Sequence, residues 1–451
     1  MTLYQLGNGK KFYTLTFGCQ MNEHDSEVLA GMLDQMGFEK AASEEEADLL
    51  IINTCAVREK AEQKVLGKIG TLRYLKENKP DMKIAIGGCM VQQEHVANKI
   101  YRDFTHVDII FGTHNINRFP QLLEHVMQKG KRVKEISQDD SQVFENLPHK
   151  REDSIKAWVV ISYGCDNYCK YCIVPYVRGQ QRSRDPEHIK YEVEKLAKEG
   201  LKEITLLGQN VNSYGKDLDQ NISFTNLLEE LSKIEGIERI RFMTSHPKDF
   251  DKELITTLKE SNKICEHFHL PVQAGSNKIL KKMGRGYTRE HYVDIVNDIR
   301  AELPNASITT DIIVGYPGEE EEDFQETLDL VQNVKFDSAF TFVYSKRSGT
   351  PAAEMAEQVD EQTKKGRIQK LISVQQEISE QRNKDLENTV QRILVEGVSK
   401  NNEDMLSGRT RTDKLVHFPG DKELIGELVD VKITRGHSWN LYGEIFEDSL
   451  T

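Results

Sequence analysis

Six of the seven cysteines fall into two sets of three. The stretch SYGCDNYCKYCIVPY places Cys165, Cys169 and Cys172 within eight residues, in a C-x3-C-x2-C spacing. Structural zinc sites close with four protein ligands, assembled from paired motifs. No second pair and no nearby histidine completes such a set here. Thiolates also hold iron–sulfur clusters, and a 4Fe-4S cluster bound by three cysteines leaves one iron open to a substrate or cofactor. That chemistry is favoured over zinc.

The other set is spread along the chain. TFGC ends in Cys19, NTC in Cys55 and GGC in Cys89, at intervals of 36 and 34 residues, or one strand–helix unit per step. In an open parallel sheet the carboxyl ends of the strands share one edge, so equal spacing gathers three thiols there. Gly18, Gly87 and Gly88 are expected to let the backbone approach a bulky inorganic group. Asn22 and Asp25 read as helix-start residues. Cys265 lies outside both sets and reads as a small buried apolar residue.

The elements that must position these residues follow from apolar patterning. Strands are expected at Phe12–Phe17, Leu49–Ile52, Lys83–Ile86 and Val107–Phe111, with helical patterns between them, implying a parallel α/β sheet covered on both faces. Residues 128–153 are polar and aperiodic, as in a linker. A second α/β series has apolar runs at Trp158–Ser162, Ile204–Leu207, Ile240–Met243, Phe268–Val272, Ile308–Val314 and Ala339–Val343. Six such units suggest a barrel of parallel strands, complete or open-sided. The pattern from Glu361 to Leu386 reads as its last helix. From Thr389 onward, short alternating runs imply a small barrel or sandwich.

Hydrophobic content of 38% and charged content of 29% fit an ordinary globular chain. No apolar run reaches the roughly 18 residues of a membrane span. The N-terminus lacks a signal-peptide pattern, so a reducing cytoplasmic location is expected, where cysteines serve as ligands or catalysts. A net charge of −13 excludes binding of nucleic acid by bulk charge but permits a local basic groove. Arg178, Arg182 and Arg184 form one small basic group, Lys281, Lys282, Arg285 and Arg289 a second, and Arg409, Arg411 and Lys414 a third. Each alone reads as solvated surface charge. Small barrels often bind RNA, yet this tail is not basic overall.

The cysteine loop resembles the radical S-adenosylmethionine superfamily motif C-x3-C-x-(aromatic)-C, with Tyr171 in the aromatic position. The resemblance implies that Cys165, Cys169 and Cys172 hold three irons of a 4Fe-4S cluster. S-adenosylmethionine would take the fourth through its amino and carboxylate groups, and one-electron cleavage would yield a 5'-deoxyadenosyl radical. For such chemistry the protein positions and shields. Members often carry a GGE-like motif after the second strand. Here LLGQN stands in that place, making Gly208, Gln209 and Asn210 candidate contacts. Gln273 and Asp311, at the ends of later strands, are candidates for ribose or substrate, and Gly315 for a turn. His246, His267 and His269 read as core or pocket polar groups.

From about residue 11 to the C-terminus, TFGCQMNEHDSE, INTCAVREKAEQK, IGGCM, SYGCDNYCKYCIVPYVRGQQRSR, LLGQNVNSYG, HLPVQAGSNKILKKMGRGYT and DIIVGYPGE resemble the methylthiotransferase family. This implies an N-terminal domain over 11–127 whose Cys19, Cys55 and Cys89 hold an auxiliary 4Fe-4S cluster. A linker over 128–153, a radical core over 154–386 as a partial (β/α)6 barrel, and a small antiparallel RNA-binding barrel, TRAM, over 387–449 would follow.

GCQMN, NTCAVRE and GQNVNSYG resemble the MiaB-type branch. It methylthiolates carbon 2 of N6-isopentenyl(dimethylallyl)adenosine at tRNA position 37. Sister branches, acting on threonylcarbamoyladenosine in tRNA or on a ribosomal-protein aspartate, more often show GCKVN or GCPKN. Implied partners are the tRNA anticodon stem-loop, a flavodoxin or ferredoxin reductant and a sulfur donor or carrier; a monomer is the simplest state. The alternative is an iron–sulfur electron carrier or RNA-binding protein that retains the fold, although a carrier needs no open iron.

Overall fold

The computed structural model describes residues 5–56, 59–151, 153–219, 222–400 and 402–446. Its first sheet contains β1 (Lys11–Thr16), β2 (Glu39–Lys40), β3 (Leu49–Thr54), β4 (Lys83–Gly88), β5 (Ile109–Phe111) and β6 (Val133–Glu135). All pairs are parallel, in the order β2-β1-β3-β4-β5-β6. Side chains alternate across a strand. Leu49 and Ile51 therefore join a core with Phe12, Leu33 and Phe119, while Leu50 and Ile52 join another with Val65, Ile69 and Ile100. Burial on both faces is what the unbroken run LLII encodes.

The four expected strands are present, and two more were not foreseen. β2 and β6 are too short to carry an apolar run. β6 lies within 128–153, the segment expected as a linker. The rest of that segment is a strap between domains. Phe144 and Leu147 pack on the first core, Glu145 Oε2 accepts from Arg184 Nε at 2.9 Å, and Lys150 N donates to Glu27 O at 3.0 Å.

The second unit contains β7 (Lys156–Val160), β8 (Ser162–Tyr163), β9 (Arg182–Ser183), β10 (Glu203–Leu207), β11 (Arg239–Phe242), β12 (His267–His269), β13 (Ser307–Val314) and β14 (Ser338–Val343). Two parallel three-stranded sheets, β11-β10-β7 and β12-β13-β14, meet through the Ile240↔Ile264 bridge. β7 and β14 lie at opposite ends of this order, so the barrel is open-sided. Its outer residues, including Ile204, Phe242, Phe268 and Ile308, pack in the largest core. The residues between them, Glu203, Arg239, Arg241 and His267, are buried and polar.

The helix Glu361–Lys384 leads to β15 (Val390–Ser399), β16 (Asn402–Arg409), β17 (Leu415–Pro419), β18 (Leu428–Gly436) and β19 (Leu441–Ile445), a closed barrel. The expected antiparallel pairing holds except at β17 and β19, which run parallel. This barrel sits at the amino-terminal ends of the radical-domain strands. Arg239, the first residue of β11, donates to Arg409 O at 2.7 Å and Arg392 O at 2.6 Å. Arg241 donates to Arg411 O at 2.7 Å and Thr410 O at 2.6 Å.

None of the three basic groups is wholly solvated surface. Arg178, Arg184 and Arg285 are buried. In the third group, Arg411 grips Glu266 at 2.6 Å and Lys414 grips Asp337 at 2.8 Å, so these charges join domains. No described helix is long and apolar enough to cross a membrane.

Candidate active site

β1, β3 and β4 are neighbours, with Thr16 beside Asn53 and Thr54 beside Gly88. Their carboxyl ends therefore bring Cys19, Cys55 and Cys89 to one edge, as the spacing implied. Cys19 caps the helix Gln20–Gln35 and is exposed, whereas Cys55 and Cys89 are buried. Burial pushes the Cys89 thiol up to about 12, with neighbouring Cys55 and Cys19 pushing the same way against Arg178.

Close packing between protein segments also demands these glycines. A Cβ on Gly18 would stand 2.9 Å from Cys55 Cβ, and one on Gly88 2.5 Å from Thr54 O. One on Gly87 would meet the Phe111 ring at 2.2 Å. Absence of side chains packs the cysteine loops against protein atoms. Asn22 and Asp25 also do more than start a helix. Asn22 Nδ2 donates to Asn53 Oδ1 at 3.2 Å and Thr54 O at 3.0 Å, tying the helix to β3.

The second triad follows β7. Cys165 N donates to Gly179 O at 3.1 Å, Lys170 N to Met283 O at 2.9 Å and Cys172 N to Cys169 O at 2.8 Å, which fix the loop. Cys169 is buried, with Cys165 and Cys172 half-buried. Arg285 Nη1 stands 3.4 Å from Cys169 Sγ and 3.4 Å from Tyr171 Oη, and its Nη2 donates to Pro271 O at 2.6 Å. Asn167 Nδ2 points at Cys165 Sγ at 3.6 Å. His246 Nδ1 accepts from Lys248 N at 3.2 Å, so the ring proton sits on Nε2, 4.0 Å from Cys169 Sγ. Burial and Arg285 hold that imidazole neutral, lowered to about 2.

Among the described residues, no three His, Cys, Asp or Glu side chains could hold a single metal ion. Zinc needs ligands converging on one centre at about 2.3 Å. An N–H donor aims at a sulfur of each triad, an environment that suits thiolates around a multi-iron core. The donor sets fit the implied clusters.

The triads approach each other. Ile173, beside Cys172, packs with Val177, Ala56 and Cys89 in one apolar cluster. From the same short helix, Arg178 Nε donates to Cys89 Sγ at 3.3 Å and Nη2 to Asp25 Oδ2 at 2.7 Å. Neither Arg178 nor Arg285 was foreseen as a site residue; both lie in basic groups that looked solvated.

The remaining candidates divide. Tyr171 meets Tyr316 edge-on at 6.5 Å, lining the cluster loop. Gly208 follows β10, where a Cβ would stand 2.6 Å from Ser162 Oγ, and Gln209 Oε1 is buried without a partner among the described residues. The Asn210 amide is committed at both ends, its Nδ2 to Asp249 at 2.7 Å and its Oδ1 to His246 N at 3.0 Å. Gln273 lies past β12 with φ of 72°. Asp311 is inside β13 instead of at its end, with its Oδ1 3.6 Å from His269 Nε2.

Comparison with known proteins places these features. The Radical SAM superfamily matches residues 159–331, an Uncharacterized protein family UPF0004 matches 11–112 and the TRAM domain matches 384–446. A tRNA-2-methylthio-N(6)-dimethylallyladenosine synthase of Carboxydothermus hydrogenoformans is 57% identical over 96% of this chain and 99% of its own. The chain belongs to the family of these synthases. The synthase of the same name from Desulforamulus reducens is 54% identical over 98% of this chain and 96% of its own. Radical SAM membership implies S-adenosylmethionine and a 4Fe-4S cluster.

A more distant likeness shows the fold alone. The radical S-adenosylmethionine methyltransferase TsrM of Kitasatospora setae, solved with cobalamin and a [4Fe-4S] cluster, has a TM-score of 0.56 at 15% identity. It covers 76% of this chain and 77% of its own.

Proposed function

We propose that this synthase-family chain methylthiolates carbon 2 of N6-dimethylallyladenosine in tRNA. Cys165, Cys169 and Cys172 hold a radical cluster, and Cys19, Cys55 and Cys89 an auxiliary one. S-adenosylmethionine and the clusters supply the radical, methyl and sulfur chemistry when bound. The observation that carries this reading is the approach of the two triads across Ala56, Cys89, Ile173 and Val177. A single substrate base can then be served by both.

The chain's own residues position and shield. Tyr171 and Arg285 wall the radical loop. Gly208 gives clearance beyond β10, and Gln209 offers an uncommitted amide oxygen for the methionyl end of S-adenosylmethionine, while Asn210 holds His246 in place. Gln273, past β12, and Asp311, on β13, serve the nucleoside side. The units 11–127, 154–386 and 387–449 act as auxiliary-cluster, radical and RNA-binding domains. The last unit would carry the anticodon stem-loop along the open β14 side, where Trp439 is exposed. Base stacking on such aromatic side chains is a general mode of RNA binding. The enzyme is a cytoplasmic monomer that receives electrons from a flavodoxin or ferredoxin and sulfur from a donor or carrier.

Anaerobic reconstitution, iron counting and incubation with reductant, S-adenosylmethionine and dimethylallylated anticodon-stem RNA test this. About eight irons per chain and a methylthio nucleoside are expected, since each 4Fe-4S cluster contributes four. Product only on another substrate overturns the substrate assignment, and about four irons overturns the two-cluster assignment.

A further inference from the structure

We infer that Arg178 is a positioning residue that sets the reduction potential of the auxiliary site through its hydrogen bond to Cys89, with Asp25 as its counter-charge. This rests on the proposed assignment of Cys19, Cys55 and Cys89 as cluster ligands.

Three observations carry it. Arg178 is the last residue of the helix Val174–Arg178, which starts two residues after Cys172. It therefore comes from the radical loop, yet its Nε reaches Cys89 Sγ at 3.3 Å in the other domain. The guanidinium is buried, at 6% exposure, so its charge is little screened. Asp25 Oδ2, 2.7 Å from Nη2, fixes the plane of the guanidinium, and the rigid fork then leaves the adjacent Nε aimed at the sulfur. The segment is held further by Thr113 Oγ1, which donates to Val177 O at 2.5 Å.

A charged N–H donor to a thiolate ligand stabilises the more negative, reduced cluster and raises its potential; hydrogen bonds to sulfur and local charge are established controls of that quantity. Asp25 acts in the opposite sense. The pair thus supports one potential at the auxiliary site and couples that site mechanically to the loop holding the radical triad. Arg285 stands in the equivalent relation to Cys169, so each triad has its own buried guanidinium.

The test is an anaerobic redox titration of the full-length reconstituted protein, following each cluster by electron paramagnetic resonance beside an iron count. Arg178→Gln is expected to shift the auxiliary potential to more negative values by about tenfold in the reduction equilibrium, or about 59 mV for a one-electron couple. Asp25→Asn is expected to shift it the other way, and Arg178→Lys to restore most of the loss. The radical cluster's potential stays in place throughout. An unmoved auxiliary potential at full iron content overturns the inference, as does an equal shift of both clusters. If Arg178→Gln does not fold, the sign of the Asp25→Asn shift decides. Wild-type protein with about four irons overturns the underlying two-cluster assignment and this inference with it.

Discussion

Lys414 of the C-terminal barrel places its Nζ 2.8 Å from Asp337 Oδ1 of the radical domain, with the two side chains 13% and 5% exposed. Arg382 Nη2 approaches the other oxygen at 3.2 Å and Ile308 N donates to it at 3.0 Å. Burial pushes this carboxyl up, but Lys414 and Arg382 outweigh it, so it lies below its ordinary 3.8. A depressed acid contributes stability above its unfolded value and loses it as pH falls through the folded one. Asp337→Asn should therefore be less stable than wild type by about 3–5 kcal/mol near pH 7. Denaturant melts should show the gap closing only below the carboxylate range.

Arg241 is buried between Glu203 Oε1, 3.0 Å from its Nε, and the carbonyls of Thr410 and Arg411. Arg241→Met removes two of the bonds to the barrel and leaves Glu203, among the described residues, with only the longer ion-pair contact to Arg239, at 3.9 Å. A loss of about 3–5 kcal/mol is expected, together with faster proteolysis between the helix Glu361–Lys384 and β15. Adding Glu203→Gln should recover part of the loss, because the stranded carboxylate is then gone.

Gly88 has φ of +97°, and a Cβ there would stand 2.4 Å from Asn53 Oδ1 and 2.5 Å from Thr54 O. Gly88→Ala should cost about 1–3 kcal/mol in backbone strain and displace Cys89. The expected readout is loss of the auxiliary iron with the radical cluster's spectrum intact. Gly130→Ala is the control: its Cβ meets nothing within 4 Å, so its cost should be confined to its own φ of +64°.

Arg285 ties Cys169, Tyr171 and Pro271 together from within the protein. Arg285→Gln should weaken radical-cluster retention or S-adenosylmethionine cleavage by about 10–100-fold, the usual effect of removing a partner of a metal ligand. The auxiliary iron should remain. Cleavage assays and iron counts on the same preparation separate the two effects.

The sequence by itself determined the parts that local patterns encode. Apolar runs placed ten parallel strands because the face each strand turns to its covering helices must be apolar, and the C-x3-C-x2-C spacing marked the radical loop because three thiols within eight residues are neighbours in any fold. Cysteines at strand ends, one strand–helix unit apart, were bound to meet because parallel strands share a carboxyl edge.

Tertiary structure alone decided how the parts join. Arg178 and Asp25 are separated by 153 residues, Arg239 and Arg409 by 170, and no periodicity links such positions. Charges that pair across a domain boundary have the composition of a solvated surface, which is why the basic groups looked free. Their burial depends on partners brought together only when the chain has folded.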